Sequence, residues 1–498
     1  MISADAAPTL NASLTEAIGG VNDVFWAWIL IPLLVVVSLY FTFGSGLVQI
    51  RMIPEMFKVV RGEPEIAPDG KKAVSSLQAF MISAAARVGT GNIVGVAVAI
   101  SLGGPGAVFW MWAMALIVGA ASFVESTLAQ LYKVRDRTGY RGGPAYYMER
   151  ALGQRWLGVL FAIILILTFP MVFNAAQSNT IAGAVSNSSD SLGTGSGLWL
   201  SAAVGVAVVV ATALVIFGGV RRIAHTAQAL IPAFAAIYVV IGLVIMAMNY
   251  QAVPGVLVMI VEHAFGLREF GAAALGTVIV QGVRRGMFSN EAGLGSAPNA
   301  AASASVTHPV KQGLVQTLGV YFDTLVLCTV TAFIVLLGRG DEPLDGGLEG
   351  DLAQHAVMES LGPWALHLMT LIIILVAFTS VLGNYYYGES NIEYLTRNEG
   401  VMLGYKAVFL VATMLGALGS IDLVWTLADT TMGLMALVNL AAITPLAMIA
   451  FRLLKDYNQQ RREGRDPVFT RDRVPGLRNV ECWDPAAEDA DVSEGSRT

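Results

Sequence analysis

Apolar runs of about 20 residues recur from Trp26 to Phe451, the length at which a helix crosses a hydrocarbon core. Eleven spans are expected, at 25–44, 76–101, 107–131, 157–186, 198–217, 224–248, 271–300, 313–337, 363–388, 404–419 and 423–451. Only 13% of the 498 residues are charged, against about 25% in soluble domains. The fold class is therefore an all-α polytopic membrane protein. In such a protein every backbone amide inside the bilayer must find its partner within the protein.

Charge distribution gives the orientation. With the N-terminus outside, 24 of the 30 Lys and Arg residues fall on the inner side, two outside (Arg268 and Arg339) and four within spans, of which Lys406 sits at an inner end. That is the positive-inside pattern, and it predicts an extracellular N-terminus (1–24) and a cytoplasmic basic tail (452–498). The tail, with QQRREGRDP, is broken by acidic residues and reads as a solvated end rather than a nucleic-acid patch. The segments 142–153 and 251–266 are too short to span and are expected at the interface. Two cysteines, Cys328 and Cys482, give no disulfide framework. Without a metal-ligand cluster, nucleophile elbow or carboxylates at catalytic spacing, an enzyme is not expected.

Without the span 25–44, ten spans remain as two halves, 76–248 and 271–451. An odd span count gives the halves opposite orientations, and each opens with an interrupted helix: RVGTGN (87–92) and GMFSNEAGLGSAP (286–298). Paired interruptions in two inverted five-helix repeats mark a transporter's central site. Gly91 and Gly95 also form a GxxxG packing pattern, which does not account for Gly89 and Thr90 beside them.

A half-helix starting near Thr90 and Gly91 aims free N–H groups and its positive dipole end at the membrane centre, which suits a carboxylate. The half-helix ending near Val88 aims carbonyls there, which suits a small hard cation. A zwitterion with Na+ satisfies both. Adjacent hydroxyls at Thr379 and Ser380 are candidates to complete a Na+ shell, or to bond back to their own helix. Asn174 and Gln177, on one helical face, either glue helices or touch substrate. Of the charged residues within spans, which usually mark function, Arg87 and Glu291 stand at the two breaks. Arg87 is expected to pair with Glu291 or Glu125, as a gate or a permanent ion pair.

GTGNIVGVAVAISLGGPGAVFWMW, GGPAYYMERALG, GMFSNEAGLGSAPNAAA, HPVKQGLVQTLGVYFDT and SIDLVWTLADTTMGLMALVN closely resemble the sodium:alanine/glycine symporters. The resemblance runs from about residue 45 to 450. It implies a leucine-transporter-type fold, a bacterial or archaeal plasma membrane, and Na+-coupled uptake of small neutral amino acids. It implies that Thr90 and Gly91 N–H groups hold the substrate carboxylate, and that Ala85 and Val88 carbonyls with Thr379 and Ser380 hold Na+. It matches Asn174 and Gln177 to an NxxQ motif, with Gln177 at the substrate, and puts Phe288, Asn290, Gly293 and Leu294 in the pocket wall. One departure stands out: where the family reads LGWSYYGE, this chain reads LGNYYYGE, with Asn384 in place of tryptophan. An amide there leaves more room and adds hydrogen-bonding groups, so serine, threonine or glutamine is expected to be accepted. The rivals are H+ coupling through Glu125 or Glu291 on the same fold, and, with less support, a channel.

Overall fold

The computed structural model describes residues 10–61, 72–136, 139–267, 272–338, 351–419 and 421–483. The acidic outer loop around Asp341 and the tail beyond residue 483 lie outside the described residues. The bundle is built from α1 (Ile18–Gly44), the bent pair α2 (Ser76–Arg87) and α3 (Gly91–Gly103), and α4 (Gly106–Leu131), then α5 (Arg155–Ser191), α6 (Leu198–Ile216) and α7 (Gly219–Met248). The second half holds α8 (Ala272–Asn290) and α9 (Ala297–Ser303), then α10 (Pro309–Gly338), α11 (Trp364–Leu395), α12 (Glu399–Leu418) and α13 (Val424–Arg462).

Among the described residues nine helices are long and apolar enough to cross a membrane, ten with α2 and α3 taken as one bent span. The seventh expected span, 271–300, is divided between α8 and α9, whose polar break keeps it outside that count. The two segments expected at the interface form short helices, Pro144–Arg150 and Val253–Ala264. Outward faces carry large apolar side chains such as Trp28, Phe43, Leu214 and Leu243, as lipid requires.

Two groups of helices meet at the breaks. In one, α4 packs against α8 and α10, and α8 packs against α3; in the other, α5 packs against α11 and α12, and α6 against α12. Helix α2 touches α10 of the first group and α11 of the second, so the first break lies where the groups meet.

The first break is short. A capping box between Ser75 and Gln78 starts α2, and Val88, at φ −77° and ψ 82°, ends it. The chain restarts as α3 at a 54° bend. The second break runs through Glu291 (φ +57°), Gly293 (φ +81°) and Gly295 (φ +82°), a left-handed path that glycine follows without steric cost. At Gly295 space is also closed: a Cβ would lie 2.8 Å from Phe161 and 2.9 Å from both Asn439 and Pro144. Gly276, within α8, has nothing within 4 Å of its would-be Cβ. Gly295→Ala is therefore expected to lower the melting temperature of the detergent-solubilised protein sharply. Gly276→Ala should leave it level or raise it, since alanine is favoured over glycine in a helix interior by about 0.5–1 kcal/mol.

Candidate functional site

Every amide of the second break from 291 to 295 has an acceptor. Glu291 N donates to Met287 O at 2.9 Å and Leu294 N to Glu291 O at 3.2 Å, and Ala292 N donates to Asn290 Oδ1 at 3.0 Å. Gly293 N and Gly295 N each donate, at 3.1 Å, to the two carboxylate oxygens of Glu125 on α4. Asn439 on α13 donates to the same carboxylate at 2.7 Å. Glu291 itself takes Ser296 Oγ at 2.7 Å and the Tyr387 hydroxyl at 3.1 Å.

These bonds correct the expected gate. Arg87 makes no ion pair with Glu125 or Glu291 in this structure. Its side chain runs toward α10, where Nη1 donates to Gln316 O at 3.0 Å, and Gly319 leaves room for it, since a Cβ there would lie 2.2 Å from Nη1. Both carboxylates are engaged at the second break, by backbone amides at Glu125 and by hydroxyls at Glu291.

At the first break the expected residues separate into those that converge and those that do not. Ser380 Oγ, on α11, donates to Ala85 O at 2.9 Å and lies 3.3 Å from Ala86 O and 3.4 Å from Val88 O. Four oxygens from two helices thus meet within one small volume. Thr379 bonds back to Val376 O at 2.9 Å, which uses its proton and leaves the oxygen's lone pairs. Beside this cluster, Thr90 N donates to Gln177 Oε1 at 3.1 Å. A Cβ on Gly89 would lie 2.3 Å from Ser380 Oγ and 3.2 Å from Gln177 Oε1, so only glycine lets α5, α11 and the break close together here. Phe288 lies on Gly91, where a Cβ would be 2.8 Å from its ring.

Ser380, Asn384 and Tyr387 follow at i, i+4 and i+7, on one face of α11. Ser380 touches the first break and Tyr387 the second, which places Asn384 between them. Asn384 is buried, and both its amide atoms lack a hydrogen-bond partner among the described residues.

Four expected site residues are used elsewhere. Asn174 donates to Thr413 Oγ1 at 2.8 Å, joining α5 to α12, the gluing role. Asn290 caps the second break and donates to Thr324 at 3.1 Å. Gly293 faces Leu34 and Leu440, and Leu294 packs in the same apolar core. Asn174 and Asn290 are spent on these bonds, and the left-handed path turns Gly293 toward α1 and α13.

Two groups emerge that the motif reading passed over. Asp323 on α10, fully buried, accepts from Asn92 Nδ2 at 2.6 Å, Ser289 Oγ at 2.7 Å and Thr324 Oγ1 at 3.2 Å. It ties α3 to α8 beside both breaks. Its signal in the sequence was a carboxylate within a span. The second group is a roof. Phe173, Phe288 and Trp425 stack with ring centroids 4.4 and 4.7 Å apart, and the Arg285 guanidinium covers Trp425 at 4.9 Å. Arg285 also pairs with Asp429. Arg284 adds contacts to Asp429 at 3.5 Å and to Asp23 of α1 at 3.0 Å.

Residues 11–471 match the profile of the sodium:alanine symporter family. The chain belongs to that family. It is 47% identical over 471 residues to the amino-acid carrier protein AlsT of Bacillus subtilis, covering 94% of this chain and 97% of that one. Identity is also 47% to the probable sodium/glutamine symporter GlnT of the same organism, over 94% and 96% of the two chains. The sodium/alanine symporter AgcS of Methanococcus maripaludis is 36% identical over 89% and 97%. The chain is thus a multi-pass membrane transporter, and in a family member the two breaks acquire a purpose beyond packing.

The roof gives a stability prediction. The side chains of Arg284, Arg285 and Asp429 are at most 6% exposed, whereas that of Asp23 is 71% exposed. Removing one partner of a buried pair costs roughly 3–5 kcal/mol, and an exposed pair is worth about 1 kcal/mol or less. Asp429→Ala should therefore lower the melting temperature far more than Asp23→Ala. Equal shifts would contradict the account of the roof.

Proposed function

We propose that this protein is a Na+-coupled symporter that imports small neutral amino acids of the alanine class by alternating access around the two breaks. One observation carries the reading: at a single helix break, a cluster of carbonyl and hydroxyl oxygens lies next to a main-chain N–H that already holds an amide oxygen. The oxygens of Ala85, Val88 and Ser380, with the lone pairs of Thr379, offer hard ligands for Na+. The N–H groups at Thr90 and Gly91 offer the substrate carboxylate donors at a helix start. Gln177 Oε1 stands at Thr90 N where that carboxylate would sit, so Gln177 turns aside on binding and can then donate through its own amide NH2. Phe288 supplies an apolar wall, and Asp323 adds negative charge nearby.

The remaining architecture fits this cycle: an extra N-terminal span at 25–44, inverted repeats at 76–248 and 271–451, N-terminus outside, C-terminus in the cytoplasm, and a bacterial or archaeal plasma membrane. Energy is sufficient. One Na+ moving through 100 mV yields about 2.3 kcal/mol, and a tenfold concentration ratio adds about 1.4 kcal/mol. Together they sustain a roughly 400-fold amino-acid gradient.

Asn384 sets the range of substrates. Its unpartnered amide, between the two breaks, suits a side chain with its own hydrogen-bonding group, and a relative of equal identity is named for glutamine. Serine, threonine or glutamine should compete with labelled alanine for uptake, and Asn384→Trp should abolish that competition while alanine uptake persists. A panel in which only glycine and alanine compete, in both proteins, would refute the assignment.

The main test is uptake of labelled alanine into proteoliposomes under an inward Na+ gradient. Ser380→Ala should raise the Na+ concentration for half-maximal uptake at least tenfold, and Thr379→Val by less, because only Ser380 touches the break carbonyls. Accumulation driven by a proton gradient without Na+ would overturn the coupling ion.

A further inference from the structure

From Glu463 to Trp483 the chain stays on the protein. It reverses at Gly464 (φ +75°) and runs back across one end of the bundle, the end that the positive-inside pattern puts in the cytoplasm. Gln460 holds the turn, donating to Val468 O at 2.9 Å and accepting from Val468 N at 3.0 Å. Phe469 N then donates to Thr307 O at 2.8 Å, and Thr307 Oγ1 donates to Pro467 O at 2.9 Å. Arg473 forms two bonds to Asp456 Oδ1, at 2.7 and 2.9 Å. Burial holds the His308 imidazole below its ordinary pKa. Its Nδ1 accepts from Val310 N, which leaves Nε2–H to donate to the same Asp456 at 3.2 Å.

The segment then crosses to other helices. Asn479 donates to Arg150 O at 3.0 Å, and Arg150 pairs with Glu481 at 2.9 Å. Trp483 is seated with its indole N–H on Gln130 O at 3.1 Å, under Lys133 at 4.7 Å and edge-on to Phe469 at 5.5 Å. Val474, Leu477 and Val480 are buried along the way. A solvated end would not bury three apolar residues and a tryptophan, so the expectation of a solvated tail fails for this part of it.

What the segment touches gives it a role. Thr307 and His308 lie in the link between α9 and α10, one short helix after the second break. Ser305 in that link donates to Val74 O at 2.9 Å, just before α2 and the first break. Gln130 and Lys133 end α4, whose Glu125 holds the second break, while Arg150 ends a separate short helix and Asp456 belongs to α13. The strap thus joins the α9–α10 link and the end of α4, in the first group, to α13 and to the Arg150 helix, which packs against α5 of the second group. Phe469 and Trp483 sit on the first group and Asn479 and Glu481 on the Arg150 helix beside α5, so the segment lies across the boundary between the two groups.

We propose that residues 463–483 form a C-terminal clamp that holds the inner side shut, and that its release limits turnover. The proposal rests on the transporter reading above. The test uses the full chain in proteoliposomes beside a chain ending at Arg462 and a Trp483→Ala variant. Both variants should raise the initial rate of Na+-driven alanine uptake at least threefold, with half-saturating alanine and Na+ concentrations unchanged within twofold. Unchanged or slower uptake by either variant, with its melting temperature retained, would overturn the clamp. Should both variants fail to fold, maleimide labelling of the unaltered chain decides, with the modified site located by peptide mass spectrometry. Cys482, half-buried against Lys133 O, should label at least threefold faster with Na+ and alanine together than with Na+ alone, and equal rates would overturn the proposal. No Na+-driven uptake by the unaltered chain would instead refute the transporter reading, and the clamp with it.

Discussion

A main-chain amide left unpaired in hydrocarbon costs several kcal/mol, and two helices of this bundle are interrupted. Both interruptions persist because side chains from neighbouring helices take the freed groups: Ser380 and Gln177 at the first, Glu125 and Asn439 at the second. Each partner comes from a different helix, so the breaks also fix how those helices sit against one another. Removing the glycines at 89, 293 or 295 would take away the close approach or left-handed turns on which this pairing depends.

The two breaks are satisfied differently, and the difference divides their work. At the second, the Glu125 carboxyl group receives two glycine amides and the Asn439 carboxamide. That is a fixed joint. At the first, the partners are a hydroxyl and a carboxamide, neutral groups on side chains that can rotate away. In the proposed binding mode a cation and a carboxylate take the positions of Ser380 and Gln177, which would exchange one set of bonds for another and leave no amide orphaned. The roof of Phe288, Trp425, Arg285 and Asp429 closes one side, and the strap lies across the end of the bundle.

Much of this was legible in the sequence. The glycines of GTGN and the run SNEAGLGS announced two breaks, because poor helix formers within apolar runs have few other uses. Ser380 was legible as one of two adjacent hydroxyls, with Thr379, and Gln177 as a polar residue on an inward face. The failures share a cause: spacing along one helix does not say which neighbour a side chain meets. Arg87 and Glu291 stand at the breaks and were expected to pair, yet Arg87 turns to Gln316 because Gly319 opens a space there. Gly293 and Leu294 belong to the right segment, but left-handed torsions turn them toward α1 and α13. Asn439 and Trp483 carried no local signal, since their partners, Glu125 and Gln130, lie more than three hundred residues away.

If Na+ and the amino acid meet at the first break, each must raise the other's affinity by the same factor. The most direct measurement is calorimetric titration of alanine into the purified protein, in Na+ and in K+, repeated with Ser380→Ala. The account predicts alanine affinity at least tenfold higher in Na+, with most of that difference lost in Ser380→Ala. Equal alanine affinity in Na+ and K+, with binding intact, would contradict a shared site at the break.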